Sequence, residues 1–263
     1  GRVYRLAHGA AFPDKTFTRP SRRESEIAWG KTMQATLPDG KVYRYVDPEI
    51  VRIGDGPGAR QFPLKYRTTG VDIYHLAEGP NHAVYASTIM PLYLLRYTPA
   101  TRKLENLGRG GPDNGEAYSF GHCRGKLYYG TYSQGLLMQY DPARPIRQDP
   151  TWRHNPRLLA PLGKGHGRPR AMCVDPRSRV WVGGVPEYGM RHGGLGCYDT
   201  VRKTYTNHPV VILDQSVWSL AADPDADLIY GGTTIARGSG TDAVTKEAHL
   251  FAWDPRRRCL EPP

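Results

Sequence analysis

The sequence predicts an all-β chain built from repeated four-stranded antiparallel blades, and three observations carry that prediction. First, an aliphatic-aromatic pair behind a Gly- or Asp-containing turn recurs six times: Val3-Tyr4, Val42-Tyr43, Val84-Tyr85, Leu127-Tyr128, Val180-Trp181 and Ile229-Tyr230. Successive pairs lie 39, 42, 43, 53 and 49 residues apart, inside or just above the repeat length of propeller blades. Second, an aromatic residue followed by Asp or Pro trails most of the pairs, as in Tyr45-Val46-Asp47-Pro48, Tyr97-Thr98-Pro99, Tyr140-Asp141-Pro142, Tyr198-Asp199 and Trp253-Asp254-Pro255. Asp caps its own backbone and Pro fixes φ, so this mark closes a turn. Third, no amphipathic helical period competes, and 30 Gly and 23 Pro supply many turns. Arranging such antiparallel sheets in a ring is how a β-propeller avoids long exposed edges. The expectation is one β-propeller domain over residues 1–263.

In chain order, the first 70 residues fit least well. The chain enters at what reads as the second strand of a blade. Residues 13–35 are polar and irregular, an insertion between blades or a short helix over 21–29. LPDGKVYRYVDPEIVRIG then reads as strands again. From Val71 four units follow, each with three short strands and a weaker fourth segment. The first runs to about Leu107 and the second from Glu116 to about Leu162. The third, from Arg168 to near Val211, contains AMCV, the turn Asp175 to Ser178, VWV, a polar loop and LGCY. The fourth runs from Ser216 to the C-terminus. Six signatures with ragged ends imply a ring of six or seven blades, or a fragment of one.

Composition narrows the function classes. The chain is 39% hydrophobic and 23% charged, a globular balance, and 17 Tyr against 5 Phe suits half-buried strands whose polar tips reach water. No apolar run approaches the roughly 20 residues of a membrane helix, so no membrane association is expected. The net charge of +11 fits an anionic partner. Basic residues are scattered through the turns and no nucleic-acid-binding motif is present, so the expected partner is an acidic oligo- or polysaccharide and not nucleic acid. Cys123, Cys173, Cys197 and Cys259 form no CxxC, which argues against a zinc ribbon or thioredoxin-type pair. No metal or cofactor is expected, the chain is expected to act as a monomer, and a secreted or periplasmic location is favoured over the cytoplasm.

The blade marks Gly125-Lys126-Leu127-Tyr128-Tyr129-Gly130-Thr131-Tyr132 and Tyr140-Asp141-Pro142 resemble those of bacterial Kelch/PQQ-like propellers. The chain also looks like the propellers of polysaccharide lyases. The resemblance spans Val71 to Pro263 and concerns the fold, which hosts many unrelated functions. It transfers no catalytic residue.

Propeller topology sorts the loops. Links from a blade's second strand to its third, and from one blade to the next, emerge on one face, and here they are long and chemically rich. They hold Asp113 to Glu116, Tyr132 to Gln134, Gly163 to Arg168, Pro186 to His192, Asp214-Gln215 and Ile235 to Lys246. A groove at that mouth is the default binding site. The candidate catalytic residues are His166, Tyr188 and His192. The candidate substrate-binding residues are Arg168, Arg191, Glu116, Gln215 and Arg237, the last on a loop that would lie as a lid over the groove. Such a set fits β-elimination of an acidic sugar: Arg neutralises the uronate carboxylate, and a His or Tyr takes the acidified proton. The alternative is a non-enzymatic propeller that presents this face to a protein partner.

Overall fold

The computed structural model describes residues 71–261, residue 58, and six strands before them. It divides into two compact units, 1–70 and 71–263. In the first unit, β1 (Tyr4–Ala7) and β2 (Ala10–Pro13) form an antiparallel pair. β3 (Gln34–Thr36), β4 (Val42–Asp47), β5 (Ile50–Ile53) and β6 (Arg60–Pro63) form a four-stranded antiparallel meander. The expected insertion at 13–35 and its short helix fall almost wholly outside the described residues.

The second unit is four consecutive meanders. They are β7 (Ile73–Glu78), β8 (Val84–Thr88), β9 (Tyr93–Thr98) and β10 (Lys103–Arg109); β11 (Ala117–Cys123), β12 (Lys126–Thr131), β13 (Leu136–Tyr140) and β14 (Arg157–Pro161); β15 (Arg168–Val174), β16 (Arg179–Val185), β17 (Leu195–Asp199) and β18 (Thr204–His208); and β19 (Ser216–Ala222), β20 (Ile229–Thr234), β21 (Leu250–Asp254) and β22 (Cys259–Leu260). Every neighbouring pair is antiparallel. The first strands β7, β11, β15 and β19 pack side by side, each against the next. These sheets are therefore successive blades of a β-propeller, with their first strands innermost. The weak fourth segments of the sequence are true strands.

Packing explains the repeated pair. Residues of β12 alternate between two cores: Leu127 and Tyr129 face the preceding blade with Tyr85, Leu94 and Phe120, while Tyr128 faces the following blade with Val180, Val182 and Tyr198. In β16, Trp181 turns the other way, into a third core with Val217, Ile229, Phe251 and Trp253. A strand buried on both faces reads as a continuous apolar run, and aromatic residues bridge the gap between sheets. The Gly that closes the pair's motif has a steric cause. A Cβ on Gly130 would come within 2.6 Å of Pro169, and one on Gly183 within 2.4 Å of Val217, both on the inner strand of the next blade.

The turns behave as their residues dictate. Asp141 accepts a hydrogen bond from the Ala143 amide, Asp199 from the Val201 and Arg202 amides, and Asp254 from the Arg256 and Arg257 amides. This is the aromatic-Asp mark of the sequence expressed as an Asx turn. On the same face, buried Asp175 accepts from the Arg177 and Arg179 amides, the Arg179 guanidinium and the Trp181 indole, and Arg179 reaches Asp227 at 2.7 Å.

Candidate active site at the loop-rich face

The connections from second to third strand and from blade to blade emerge together in the second unit, as the topology requires. The blade-to-blade links are each pinned to the second strand of the following blade by one buried polar side chain. Asp113 accepts from the Thr131 hydroxyl at 2.6 Å. His166 donates through Nε2 to the Val182 carbonyl at 3.1 Å. Gln215 accepts from the Thr233 hydroxyl and donates to the Glu247 carbonyl at 2.7 Å.

Two expectations are corrected by this geometry. His166 has 0% of its surface exposed and its ring packs against Gly184 and Gly194, so no substrate atom can reach it. Burial lowers its pKa below the ordinary 6.5, against the pull of the Val182 carbonyl, which keeps it neutral. Gln215 is 1% exposed and its amide is spent on the pin. Both residues satisfy backbone and side-chain groups that would otherwise be buried unpaired. Polar residue types in a loop looked like chemistry because sequence does not reveal which loop atoms become interior.

Arg168 and Tyr188 do meet. The Arg168 guanidinium lies 5.3 Å from the centre of the Tyr132 ring and 5.2 Å from that of Tyr188. Its Nη2 donates to the Tyr188 hydroxyl at 3.4 Å and to Ser239 Oγ at 3.1 Å. The Tyr132 and Tyr188 hydroxyls are 3.2 Å apart. The Tyr132 hydrogen bond, and then the Arg168 charge, hold the Tyr188 phenol below its ordinary 10.0, while the same hydrogen bond raises Tyr132. Tyr188 is 65% exposed. A shallow cleft of about 40 Å³ lies beside them, floored by Gly167 and Pro186. A larger hollow of about 460 Å³ on the β19–β22 sheet is lined mainly by apolar residues, Ile212, Leu250, Phe251 and Leu260 among them, with Tyr230, His249 and Glu261.

The remaining candidates are dispersed. Glu116 is 3% exposed; burial raises its carboxyl above 4.5, against Tyr118 and Arg168, and its Oε2 has no hydrogen-bond partner. It is buried close enough to Arg168 to feel its charge. His192 Nδ1 accepts from the Asp214 amide at 2.9 Å, so the proton of its neutral ring sits on Nε2. That bond ties His192 to the link before β19. Arg191 is exposed on its loop. Arg237 is 8% exposed, and none of its three side-chain nitrogens has a hydrogen-bond partner. Its loop is tied to the neighbouring one: the Gly189 amide donates to the Ser239 carbonyl at 2.9 Å and the Gly238 amide to the Met190 carbonyl at 3.2 Å.

The sequence reading missed a second cluster beside this one. Each inner strand breaks register once, between Ile73 and His75, Ala117 and Ser119, Arg168 and Ala171, and Val217 and Ser219. The residues at these bulges are Tyr74, Tyr118, Arg170 and Trp218. Tyr74 and Tyr118 meet edge to face at 5.1 Å. Arg170 lies 5.5 Å from the Tyr118 ring centre and 4.5 Å from that of Trp218, and donates to the Tyr74 hydroxyl at 3.1 Å. Tyr118 also meets Tyr132 at 5.9 Å, which joins the two clusters. Bulges re-aim side chains and favour functional positions. The signal available in the sequence was a bulky residue one or two positions into each inner strand.

Blades and mouth together define a β-propeller protein with an arginine- and tyrosine-lined loop face. No protein-family model and no curated protein matches the chain. Among solved structures it is similar to a mitotic checkpoint complex chain, at 11% identity and a TM-score of 0.48 over 84% of this chain and 61% of that one. It is similar to luciferin-regenerating enzyme at 14% identity and 0.48, over 84% and 75%. It is also similar to a catalytically inactive virginiamycin B lyase from Staphylococcus aureus with quinupristin, at 13% and 0.44, over 77% and 62%. The chain thus spans about three-fifths of the first of these, and the likeness is one of fold.

Proposed function

We propose that the loop-rich face binds an acidic oligo- or polysaccharide and cleaves it by β-elimination, as a Kelch- or PQQ-like propeller lyase. The observation that supports this reading is Tyr188, an exposed phenol with a lowered pKa, held against an arginine and a second tyrosine. Both hydrogen bonds of Arg168 use Nη2, which leaves Nη1 to donate to the carboxylate of a uronate. That pairing acidifies the C5–H of the sugar. The Tyr188 oxygen takes the proton, the C4–C5 double bond forms, and the C4–O bond to the leaving sugar breaks. Tyr132 supplies the proton that the leaving oxygen needs. The +11 charge draws such a polymer to the protein.

The test is ultraviolet absorbance of the unsaturated uronide, with the purified protein incubated against a panel of acidic polysaccharides. A rise with one substrate supports a lyase and names its substrate class. A flat trace across the panel removes the lyase reading. The shallow cleft of about 40 Å³ favours a second reading, a non-enzymatic propeller that offers this face to a protein partner. In that case capture experiments return a protein whose binding Arg168→Ala abolishes.

A further inference from the structure

Arg168 and Arg170 lie two residues apart on β15, about 7 Å along a strand, and each sits among aromatic rings of a different cluster. Around Arg168 these are Tyr132 and Tyr188. Around Arg170 they are Tyr118 and Trp218, with the Tyr74 hydroxyl on one guanidinium nitrogen. Tyr118 and Tyr132 join the two. The track therefore runs Tyr188, Arg168, Tyr132, Tyr118, Arg170, Trp218, each arginine flanked by two rings. Three blades contribute to it, each through its inner-strand bulge, and the bulge residue of a fourth, Tyr74, holds Arg170 from the side. Trp218 ends the track with 44% of its surface exposed. A packed core does not account for this arrangement, because the cores between blades are formed by other residues of the same strands, such as Phe120, Ala117 and Val217.

We propose that the Arg170 cluster is a second saccharide subsite, in which Arg170 pairs with the carboxylate of a neighbouring uronate and Trp218 stacks against its ring. This rests on the reading of the Arg168 cluster given above and adds a length requirement: the ligand is a chain of acidic sugars long enough to place carboxylates on both arginines. Rings stack on aromatic faces, carboxylates pair with guanidinium, and two linked subsites multiply in affinity where one alone is weak.

The experiment uses the full chain carrying Tyr188→Phe, which keeps the mouth but removes the proton acceptor. Binding is followed by calorimetry with uronate tetrasaccharides, their carboxyl-reduced neutral counterparts, the corresponding monouronates and a single-stranded oligonucleotide. The tetrasaccharide is expected to bind at least about tenfold tighter than the monouronate, and Trp218→Ala and Arg170→Gln are each expected to erase that ratio. Trp218→Phe, which keeps a stacking ring, should retain most of it and so separates recognition from a folding defect. If the tetrasaccharide is bound and cleaved by the parent protein but the ratio survives in all the variants, the second subsite is wrong and the lyase reading stands. If no saccharide binds, both are wrong. If only the oligonucleotide binds, with the same variants weakening it, the track is a nucleic-acid surface and the saccharide proposal is overturned.

Discussion

The Arg168 guanidinium stands over the Tyr188 ring at 5.2 Å while its Nη2 donates to the Tyr188 hydroxyl at 3.4 Å. One arginine thus both positions the phenol and stabilises its ionised form. Tyr188→Phe and Arg168→Ala should each reduce cleavage by at least about a hundredfold, the range of a lost proton acceptor or charge stabiliser. Both side chains lie at the loop face, so near-ultraviolet circular dichroism and the melting temperature should stay near those of the parent. Retained turnover in both variants would sink the assignment.

The Tyr132 hydrogen bond is the largest cause of the lowered Tyr188 pKa. In the proposed reaction the proton acceptor is the ionised phenol, so the rate should rise with pH toward the Tyr188 pKa, which lies below 10.0. Tyr132→Phe removes the largest cause of that lowering together with the proposed proton donor, so the maximal rate should fall as well. The rising limb of the pH-rate profile should then move to higher pH. An unmoved limb would show that the hydroxyl contact does not tune the base.

His166 makes stability depend on pH with a definite sign. Its folded pKa lies below 6.5, so the unfolded chain binds the proton first as pH falls. The contribution is complete above 6.5 and is lost as pH drops through the folded pKa. Between 6.5 and the folded pKa the slope is at most about 1.4 kcal/mol per pH unit for one group. His75 and His208, also lowered by burial, add slope in the same direction. Urea midpoints for His166→Gln should show a shallower decline between pH 7.5 and 5.5 than the parent. Parallel curves would contradict it.

Asp175 is the centre of the turn network on the opposite face. Asp175→Asn should lower unfolding free energy by about 3 kcal/mol, the low end for breaking a buried ion pair, because Arg179 keeps its 2.7 Å contact with Asp227. Chemical denaturation gives the value directly. A loss under about 1 kcal/mol would mean that the network is not cooperative.

Arg237 presents the opposite case, a buried guanidinium whose nitrogens have no hydrogen-bond partner. An uncompensated charge of this kind opposes folding, so Arg237→Met should raise stability by about 1 kcal/mol or more. A lower denaturation midpoint in the variant would show that the guanidinium is satisfied in solution.

The strand plan was legible in the sequence because each blade solves the same packing problem. Leu127-Tyr128-Tyr129 must fill two cores at once, Gly130 must admit the next blade, and Asp141 must close a turn. These are local requirements that repeat in residue type. The face that gathers the long loops followed from topology, and with it the encounter of Arg168 and Tyr188. The tertiary structure alone decided what each polar residue on that face does. Whether a histidine or glutamine becomes a pin depends on which loop atoms are buried, which made His166 and Gln215 interior groups and left Tyr188 in solvent. It also decided that the inner-strand bulges carry Tyr74, Tyr118, Arg170 and Trp218 into one cluster. These residues lie 44, 52 and 48 positions apart in the sequence, and only the stacking of blades brings such distant positions within contact.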